Sequence, residues 1–316
     1  MLRVEGWGAV RLKGTCMDVV QATGSAVEQI AASRQAGPTA ARMLVGGRLR
    51  QLRESAGITR EAAAEEIRSS DSKISRLELG RTGFKRRDVA DLLTFYGVTD
   101  DAERQALLEL AKQANAPGWW QRYDDVIPSW YESYLGLEQA AAVIRNYALQ
   151  LIPDLLQTEE YARSALRLTY PEDDSARLAR RVALRVGRQQ ILRRPAPPRL
   201  WVVIDETALR RPIGSRATMR LQLDHLIEVA ELPHITVQVL PFSTGGHPAL
   251  GGAITFLRFA EGDLPDVVYL EQLITAVYMD KPNLVAPYWR VLNHLSLQAE
   301  QPAATAQILR RIRAEI

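Results

Sequence analysis

The sequence predicts an all-α N-terminal domain followed by a larger mixed α/β (α+β) C-terminal domain. Residues 47–115 contain short segments whose apolar positions recur every three or four residues, which indicates helices. Residues 131–316 alternate helical patterns with β-branched and aromatic runs such as HITVQVLPF and GAITFLRFA. The segment NAPGWWQRYDDVIPSW separates the two parts, and a length of 316 residues suits two domains.

Residues 1–42 fit neither part, because their apolar periodicity is weak and Gly37 and Pro38 interrupt any helix there. We expect a leader that is disordered or weakly helical, with Met43 as the first residue of the folded chain. The predicted units are therefore the leader at 1–42, the helical domain at 43–115 and the mixed domain at 116–316.

Composition excludes several classes of protein. Cys16 is the only cysteine, which rules out a disulfide scaffold and a cysteine-based zinc site. No apolar run approaches the roughly 20 residues of a membrane span, and the first residues lack the apolar core of a secretory signal. We therefore expect a cytoplasmic protein with no membrane partner, no bound metal and no cofactor.

The first two helices of the N-terminal domain are marked by their caps and apolar spacing. A helix over 47–55 carries Leu49 and Leu52 on one side and ends before Gly57. Thr59 suits the N-cap of a second helix at 60–67, in which Ala64 is small enough for a close helix crossing. The sequence therefore predicts two short helices joined by a tight turn.

A third helix follows at once, and it is the most informative segment of the chain. Ser70 suits its N-cap, Ile74 and Leu77 form a thin apolar stripe, and Gly80 suits the left-handed residue after a helix. Its polar side is rich in hydrogen-bonding groups, which favours insertion into the DNA major groove. The residues left free on that side are Asp71, Ser72, Lys73, Ser75 and Arg76.

The segment GGRLRQLRESAGITREAAAEEIRSSDSKISRLELGR resembles the lambda-repressor-like, or Xre-type, helix-turn-helix family, and the run ISRLE followed by GR matches it best. The fold implied is an all-α helix-turn-helix domain of five helices, in which Glu78 pairs within the domain. The two further helices fit 84–96 and a segment capped by Asp100. Arg68 and Ser69 depart from the family, where many members carry glycine and an apolar residue in the turn.

By motif position, Asp71, Ser72 and Arg76 face base edges, and Lys73 lies at the rim. An arginine forks onto guanine O6 and N7, and each such pair gives about 1–3 kcal/mol of discrimination. The hydroxyl of Ser72 can either donate a hydrogen bond to a base or accept one from it. Asp71 either accepts from a cytosine amine or only stabilises the helix N-terminus.

Other positions are expected to contact phosphate. Thr59 and Arg60 begin the second helix, whose N-terminal amides suit a phosphate group, and Arg81 and Lys85 add positive charge nearby. Residues 48–87 hold eleven Lys and Arg against six Asp and Glu, whereas the whole chain carries only +3. The complete predicted interface with double-stranded DNA comprises Thr59, Arg60, Ser70, Asp71, Ser72, Lys73, Ser75, Arg76, Arg81 and Lys85.

In the C-terminal part, the strands expected at 141–147, 201–204, 235–240, 253–259 and 267–270 alternate with helices.

The segments YALQLIPDLLQTEEYARSAL and ITVQVLPFSTGGHPALGGAITFLRF resemble the C-terminal domain common in actinobacterial Xre-type regulators. Those proteins are described as antitoxin-like transcriptional regulators, often encoded beside a small partner protein. The resemblance implies a sequence-specific DNA-binding regulator modulated by that partner. A domain that senses a small molecule is the alternative, and we expect a homodimer in either case.

Three features leave alternatives open. Arg177, Arg180, Arg181, Arg185 and Arg188 form a helical stripe that is a second anionic contact, a partner surface or a solvated face. Trp119, Trp120 and Trp130 either stack on bases or pack at the domain junction. The glycine-rich STGGHPALGG precedes a strand, so a loop fits better than a phosphate-binding turn. No catalytic constellation is apparent in the sequence, and we expect binding rather than an enzyme.

Overall fold

A computed structural model describes residues 38–80, 82–260 and 264–316. Its first helix begins at Pro38, nine residues before the start of the helix expected at 47–55 and five residues before Met43, the expected first residue of the folded chain. Pro38 begins this helix rather than breaking it, because proline suits the first turn of a helix, where its missing N–H needs no partner. Thr39, Ala40 and Ala41 are buried, so the folded part includes residues assigned to the leader. The rest of that leader, residues 1–37, lies outside the described residues.

The N-terminal domain is helical, as predicted. Ile74 and Leu77 of its third helix join Leu49 and Ala64 in one buried apolar cluster. The helices are α1 (Pro38–Ser55), α2 (Arg60–Glu66), α3 (Asp71–Glu78), α4 (Arg86–Phe95) and α5 (Asp101–Ala114).

The C-terminal domain is a sheet covered by helices, which confirms the predicted mixed class. Its helices are α6 (Ser129–Ala140), α7 (Glu159–Thr169), α8 (Ser175–Arg188), α9 (Glu206–Arg210), α10 (Arg216–Val229), α11 (Pro282–Gln298) and α12 (Thr305–Glu315). Its strands are β1 (Ala141–Ala148), β2 (Arg199–Asp205), β3 (Ile235–Leu240), β4 (Ile254–Phe259), β5 (Val267–Glu271) and β6 (Ala276–Met279).

The six strands form one sheet in the order β3-β2-β1-β4-β5-β6. β1, β2 and β3 are parallel, and helices connect them because parallel neighbours need a long crossover. β4, β5 and β6 are antiparallel to their neighbours and complete a meander. The sheet thus joins a βαβ half to a hairpin half.

Each face of the sheet has its own apolar cluster, since successive side chains of a strand point to opposite faces. Val202 and Ile204 of β2 pack on one face with residues of α6, α7, α10 and α12. Val203 packs on the other face, where α11 supplies Leu292 and Leu295. This double coverage explains why β2 reads as a continuous apolar run.

Two elements differ from the sequence pattern. β6 is a strand that the sequence analysis missed, since its four residues are too few to show a period of two. α11 begins at Pro282 and continues through Pro287, which therefore lies inside the helix. Pro287 occupies the second turn, close enough to the N-terminus to interrupt little of the hydrogen-bond ladder.

α1 connects the two domains. Its first turn crosses α6 so closely that a Cβ built on Gly136 would lie 1.7 Å from Thr39 Oγ1. Met43 and Leu44 pack against the apolar cluster of the C-terminal domain, and Arg42 Nε donates to the Ala114 carbonyl at 2.7 Å. A single helix thus belongs to the cores of both domains.

Among the helices described, none is both long enough and apolar enough to cross a bilayer.

Candidate nucleic-acid interface

The turn between α2 and α3 has the geometry of a helix-turn-helix unit. Thr59 Oγ1 accepts from Ala62 N at 3.2 Å and Ser70 Oγ accepts from Lys73 N at 3.3 Å, which confirms both predicted caps. Between the helices Arg68 has a φ of +51°, in the left-handed region. Glycine populates that region without cost, which explains why many resembling proteins carry glycine in this turn. The departure at Arg68 therefore leaves the turn intact but strained.

A buried ion pair fixes α3 against α1. Arg53 Nε lies 2.5 Å from Glu78 Oε1, and Arg53 Nη2 lies 3.1 Å from Glu78 Oε2. The hydrogen bond that Arg53 donates to the Glu78 carboxylate raises the pKa of Arg53. Both side chains are buried, so Glu78 pairs inside the domain, as the resemblance implied, and is unavailable to DNA.

Ser72 and Arg76 form the exposed face of α3. They lie four positions apart, and therefore on one side of the helix, opposite the buried Ile74 and Leu77. Arg76 Nε lies 3.3 Å from the Ser72 carbonyl oxygen, so the guanidinium folds back along its own helix. Ser75 is half-buried next to them. Two of the three residues expected to read base edges thus share one accessible surface.

Asp71 and Lys73 are less free than the sequence suggested. Asp71 Oδ1 lies 3.3 Å from Arg60 Nε, which joins the first residues of α2 and α3. Lys73 Nζ lies 2.6 Å from Asp88 Oδ2 of α4. Both predicted contacts therefore have partners within the protein, and Lys73 points towards α4 rather than standing unpaired at the rim.

The expected phosphate contacts flank this face. Thr59 and Arg60 lie exposed at the N-terminus of α2, and Lys85 is the exposed N-cap of α4. Arg81 lies outside the described residues. The structure adds Arg86, exposed at the start of α4, where helix amides also point outwards. In the sequence, Arg86 was one of eleven basic residues at 48–87 and could not be told apart from the others. Its position as the first residue of α4 marks it as a candidate phosphate contact.

The arginine stripe of α8 is not a solvated face along its whole length. Arg181 and Arg188 are buried, whereas Arg177 and Arg180 of the same stripe are exposed. Arg188 binds Glu138 Oε1 at 2.7 Å and Asp154 Oδ2 at 2.7 Å. Sequence periodicity showed the stripe, but the acidic partners come from other elements and could not be paired in advance.

Charge pairing governs the ionisation of this cluster. Burial alone would lower the pKa of Arg188, but the charges of Glu138, Tyr131 and Asp154, together with the hydrogen bond to Glu138, outweigh it and raise the pKa well above its usual value. Burial would likewise raise the pKa of Asp154, and the guanidinium groups of Arg185 and Arg188 reverse that shift, so its pKa is lowered. The cluster therefore holds its ionic form inside the C-terminal domain.

The tryptophans of the junction pack rather than lie free. Trp120 is buried with Leu135 and Leu184, and its ring meets Trp119 edge-on at 6.1 Å between centroids. Trp130 is half-buried and contacts Tyr131, with 5.5 Å between the ring centroids. The packing interpretation of Trp119 and Trp120 is therefore confirmed.

A tight turn, two capped helices, an exposed polar face and basic flanks define a DNA-binding protein of the helix-turn-helix class. A family model described as a helix-turn-helix domain matches residues 44–107. A second model, described as a domain of unknown function (DUF5753), matches residues 131–311, more than half of the chain. The chain therefore belongs to the DUF5753 family. No curated protein and no solved structure matches it.

Proposed function

We propose that this protein is a sequence-specific transcriptional regulator of the Xre type, antitoxin-like as in the actinobacterial regulators that it resembles. The observation that carries the proposal is the shared exposed face of Ser72 and Arg76 on α3, the second helix of the motif. In this geometry the second helix enters the major groove and the start of the first approaches the backbone. Arg60 and Lys85 then supply the phosphate contacts on either side.

The regulator acts as a homodimer in this proposal. α3 has eight residues, and a helix of that length reads only a few base pairs. Two copies on half-sites about 34 Å apart double the contacts and match the repeat of B-DNA. The expected operator is therefore a near-palindrome with half-site centres one helical turn apart.

The C-terminal domain receives the signal, through a small protein partner encoded nearby. The supporting surface is the β5–β6 hairpin, where Leu273 is 88% exposed and Ile274 is 80% exposed. β6 is an edge strand, whereas the opposite edge at β3 is covered: Val239 O accepts from Glu300 N at 2.9 Å. A partner that adds an apolar strand to β6 would cover both the edge and the two side chains.

The test is a titration of the operator complex with the product of the neighbouring gene, followed by gel mobility. We expect the wild-type complex to respond and the Ile274→Lys variant to respond at least about tenfold more weakly, because a charge at the contact opposes burial. Leu168→Lys, at another exposed leucine, is the matched control. If the wild-type protein and both variants respond equally, the partner does not bind at the hairpin.

A small-molecule sensor is the second candidate, because a recess with aromatic and charged walls lies between α6, α8 and β5. A response of the operator complex to metabolite extract alone would favour it over the protein partner. In both candidates the domain binds without catalysing a reaction. An enzymatic activity that is lost when residues lining the recess are mutated would contradict that part of the proposal.

A further inference from the structure

Lys73, the third residue of α3, is tied to the helix that follows it in the chain. Its Nζ lies 2.6 Å from Asp88 Oδ2 in the first turn of α4. The Asp88 side chain is 13% exposed and the Lys73 side chain 27% exposed. Salt screens a short, partly buried pair less than a pair on the open surface. We therefore expect the Lys73–Asp88 pair to persist at physiological ionic strength.

This pair lies at the edge of the surface expected to face DNA. Ser72, the neighbour of Lys73, is exposed on the face that carries Arg76. Asp88 follows two residues after Arg86, the first residue of α4, where helix amides are expected to bind phosphate. The Asp88 carboxylate therefore lies where α3 meets a helix start that contacts the DNA backbone.

Two other ion pairs that involve α3 or α4 hold their basic partners more loosely. Arg60 Nε lies 3.3 Å from Asp71 Oδ1, and Arg87 Nε lies 3.5 Å from Asp91 Oδ2. In both pairs the arginine side chain is at least 45% exposed. Exposed pairs of this kind contribute little, so a DNA phosphate can draw these arginines away. Lys73 is held at a shorter distance and by a more buried carboxylate.

We propose that Asp88 is a positioning residue that lowers the affinity for DNA of arbitrary sequence, because it withholds the charge of Lys73 from the phosphate backbone. This step rests on the proposed function of α3 as the helix that enters the major groove. A phosphate that approaches the ammonium also meets the carboxylate 2.6 Å away. The pair as a whole then offers no net charge and releases no counterion. Specificity is a difference of affinities, so weaker binding to wrong sequences raises it.

Operator DNA and random DNA respond differently to a released Lys73. On the operator, base contacts by Ser72 and Arg76 fix the position of α3 in the groove. On random DNA these contacts are missing, and α3 is free to shift towards a phosphate. Release of the lysine therefore strengthens binding to random DNA more than binding to the operator. Asp88 thus determines specificity without contacting a base.

Fluorescence anisotropy on a random-sequence duplex of about 30 bp, roughly three helical turns, measures this affinity without knowledge of the operator. Asp88→Asn is expected to bind the duplex roughly five- to tenfold more tightly at about 0.1 M salt, because one further counterion is released. The slope of log K against the logarithm of salt concentration should steepen by about one. Asp91→Asn is the matched control, since it removes the same charge from the same helix but releases only an exposed arginine. Its affinity is expected to stay within about twofold of the wild type.

Variants of Lys73 separate the release of this side chain from the mere loss of a negative charge. Lys73→Gln is expected to cost at least about threefold more affinity for random DNA in the Asp88→Asn background than in the wild-type chain. Asp88→Glu keeps a carboxylate near the ammonium, and its affinity should return to within about twofold of the wild type. An equal cost of Lys73→Gln in both backgrounds, or equal affinities of Asp88→Asn and Asp91→Asn, would overturn the proposal.

The duplex that the wild-type chain selects from a random library supplies the specific site. On this duplex Asp88→Asn is expected to change the affinity by at most about twofold, so the ratio of specific to random affinity falls at least about threefold. A ratio equal to that of the wild type would refute the role of Asp88 in specificity. If the wild-type chain selects no sequence, the proposed function is contradicted, and the measurements on random DNA still decide whether Asp88 withholds Lys73.

Discussion

At the scale of single residues, the DNA interface separates positions that read bases from positions that only bind the backbone. Arg76 is exposed on α3 and makes one contact to its own helix, so it is free to reach a base edge. Lys85 lies at the start of α4, away from the axis of α3. The two side chains carry the same charge, but their positions predict different effects on specificity.

Replacing Arg76 by alanine is expected to lower affinity for the operator and to relax preference at one base pair by about 1–3 kcal/mol. Lys85→Ala is expected to weaken binding to all sequences alike. It should also reduce the slope of log K against the logarithm of salt concentration by about one, because one fewer counterion is released. Anisotropy titrations with operator and scrambled DNA at several salt concentrations measure both. If Arg76→Ala leaves the ratio of the two affinities unchanged, the orientation of α3 is wrong.

Arg68 is the residue at which sequence and backbone disagree. A left-handed φ of +51° is strained for any side chain with a Cβ, and glycine removes that strain. Arg68→Gly is therefore expected to raise the free energy of unfolding of the helix-turn-helix domain by about 0.5–1 kcal/mol, measured by urea titration. Arg68→Ala is the control, because it removes the charge and keeps the strain, and a similar gain for both would point to charge instead.

At the scale of elements, α1 and α3 approach each other more closely than any pattern of apolar residues shows. A Cβ built on Gly46 would lie 2.4 Å from the carbonyl oxygen of Leu77, whereas one on Gly47 meets no atom within 4 Å. The two glycines are neighbours in the sequence and in the same helix. Only the first is required by packing, since a backbone oxygen cannot move aside as a flexible side chain does.

Gly46→Ala is expected to lower the free energy of unfolding by about 1–3 kcal/mol, because the added methyl group pushes α3 away from α1. Gly47→Ala is expected to raise it by up to about 1 kcal/mol, because alanine favours the helix. Thermal unfolding followed by circular dichroism compares the pair. Operator affinity should fall in the first variant alone, and a fall in both would show that helix propensity disturbs the interface.

At the scale of the whole molecule, the first turn of α1 links the two domains. Residues 38–42 were assigned to the leader because the apolar periodicity before Met43 is weak. In the structure, Thr39 contacts Gly136 of α6, and Ala40 and Ala41 are buried. These side chains are small, so they contribute little to a hydropathy pattern although they lie between two domains.

A chain that begins at residue 38 and one that begins at Met43 test this assignment. The shorter chain is expected to lose about 2 kcal/mol of unfolding free energy, since each buried carbon contributes about 0.8 kcal/mol. Its two domains should also unfold less cooperatively by calorimetry, because the contact of Thr39 with Gly136 is lost and only Met43 and Leu44 of α1 still pack against the C-terminal domain. If the two chains give identical melting curves, residues 38–42 do not contribute to the fold and the folded chain begins at Met43.

The sequence by itself determined the helix-turn-helix unit, because caps, a thin apolar stripe and a terminal glycine are local features. Thr59, Ser70 and Gly80 fulfil in the structure the roles that their residue types predict. It also determined five of the strands, whose β-branched runs are long enough to show. The short edge strand β6 lacked that length and was decided by its pairing with β5.

Only the tertiary structure decided what the charged residues do. Lys73 was expected at the DNA rim and pairs with Asp88, fifteen positions away, while the arginine stripe of α8 binds carboxylates up to fifty-five positions away. Such pairs depend on which distant elements meet in the fold, and a local sequence pattern holds no information on those contacts. For the same reason the recess near Arg185 and Glu271, formed by elements far apart in the chain, was invisible before the fold brought them together.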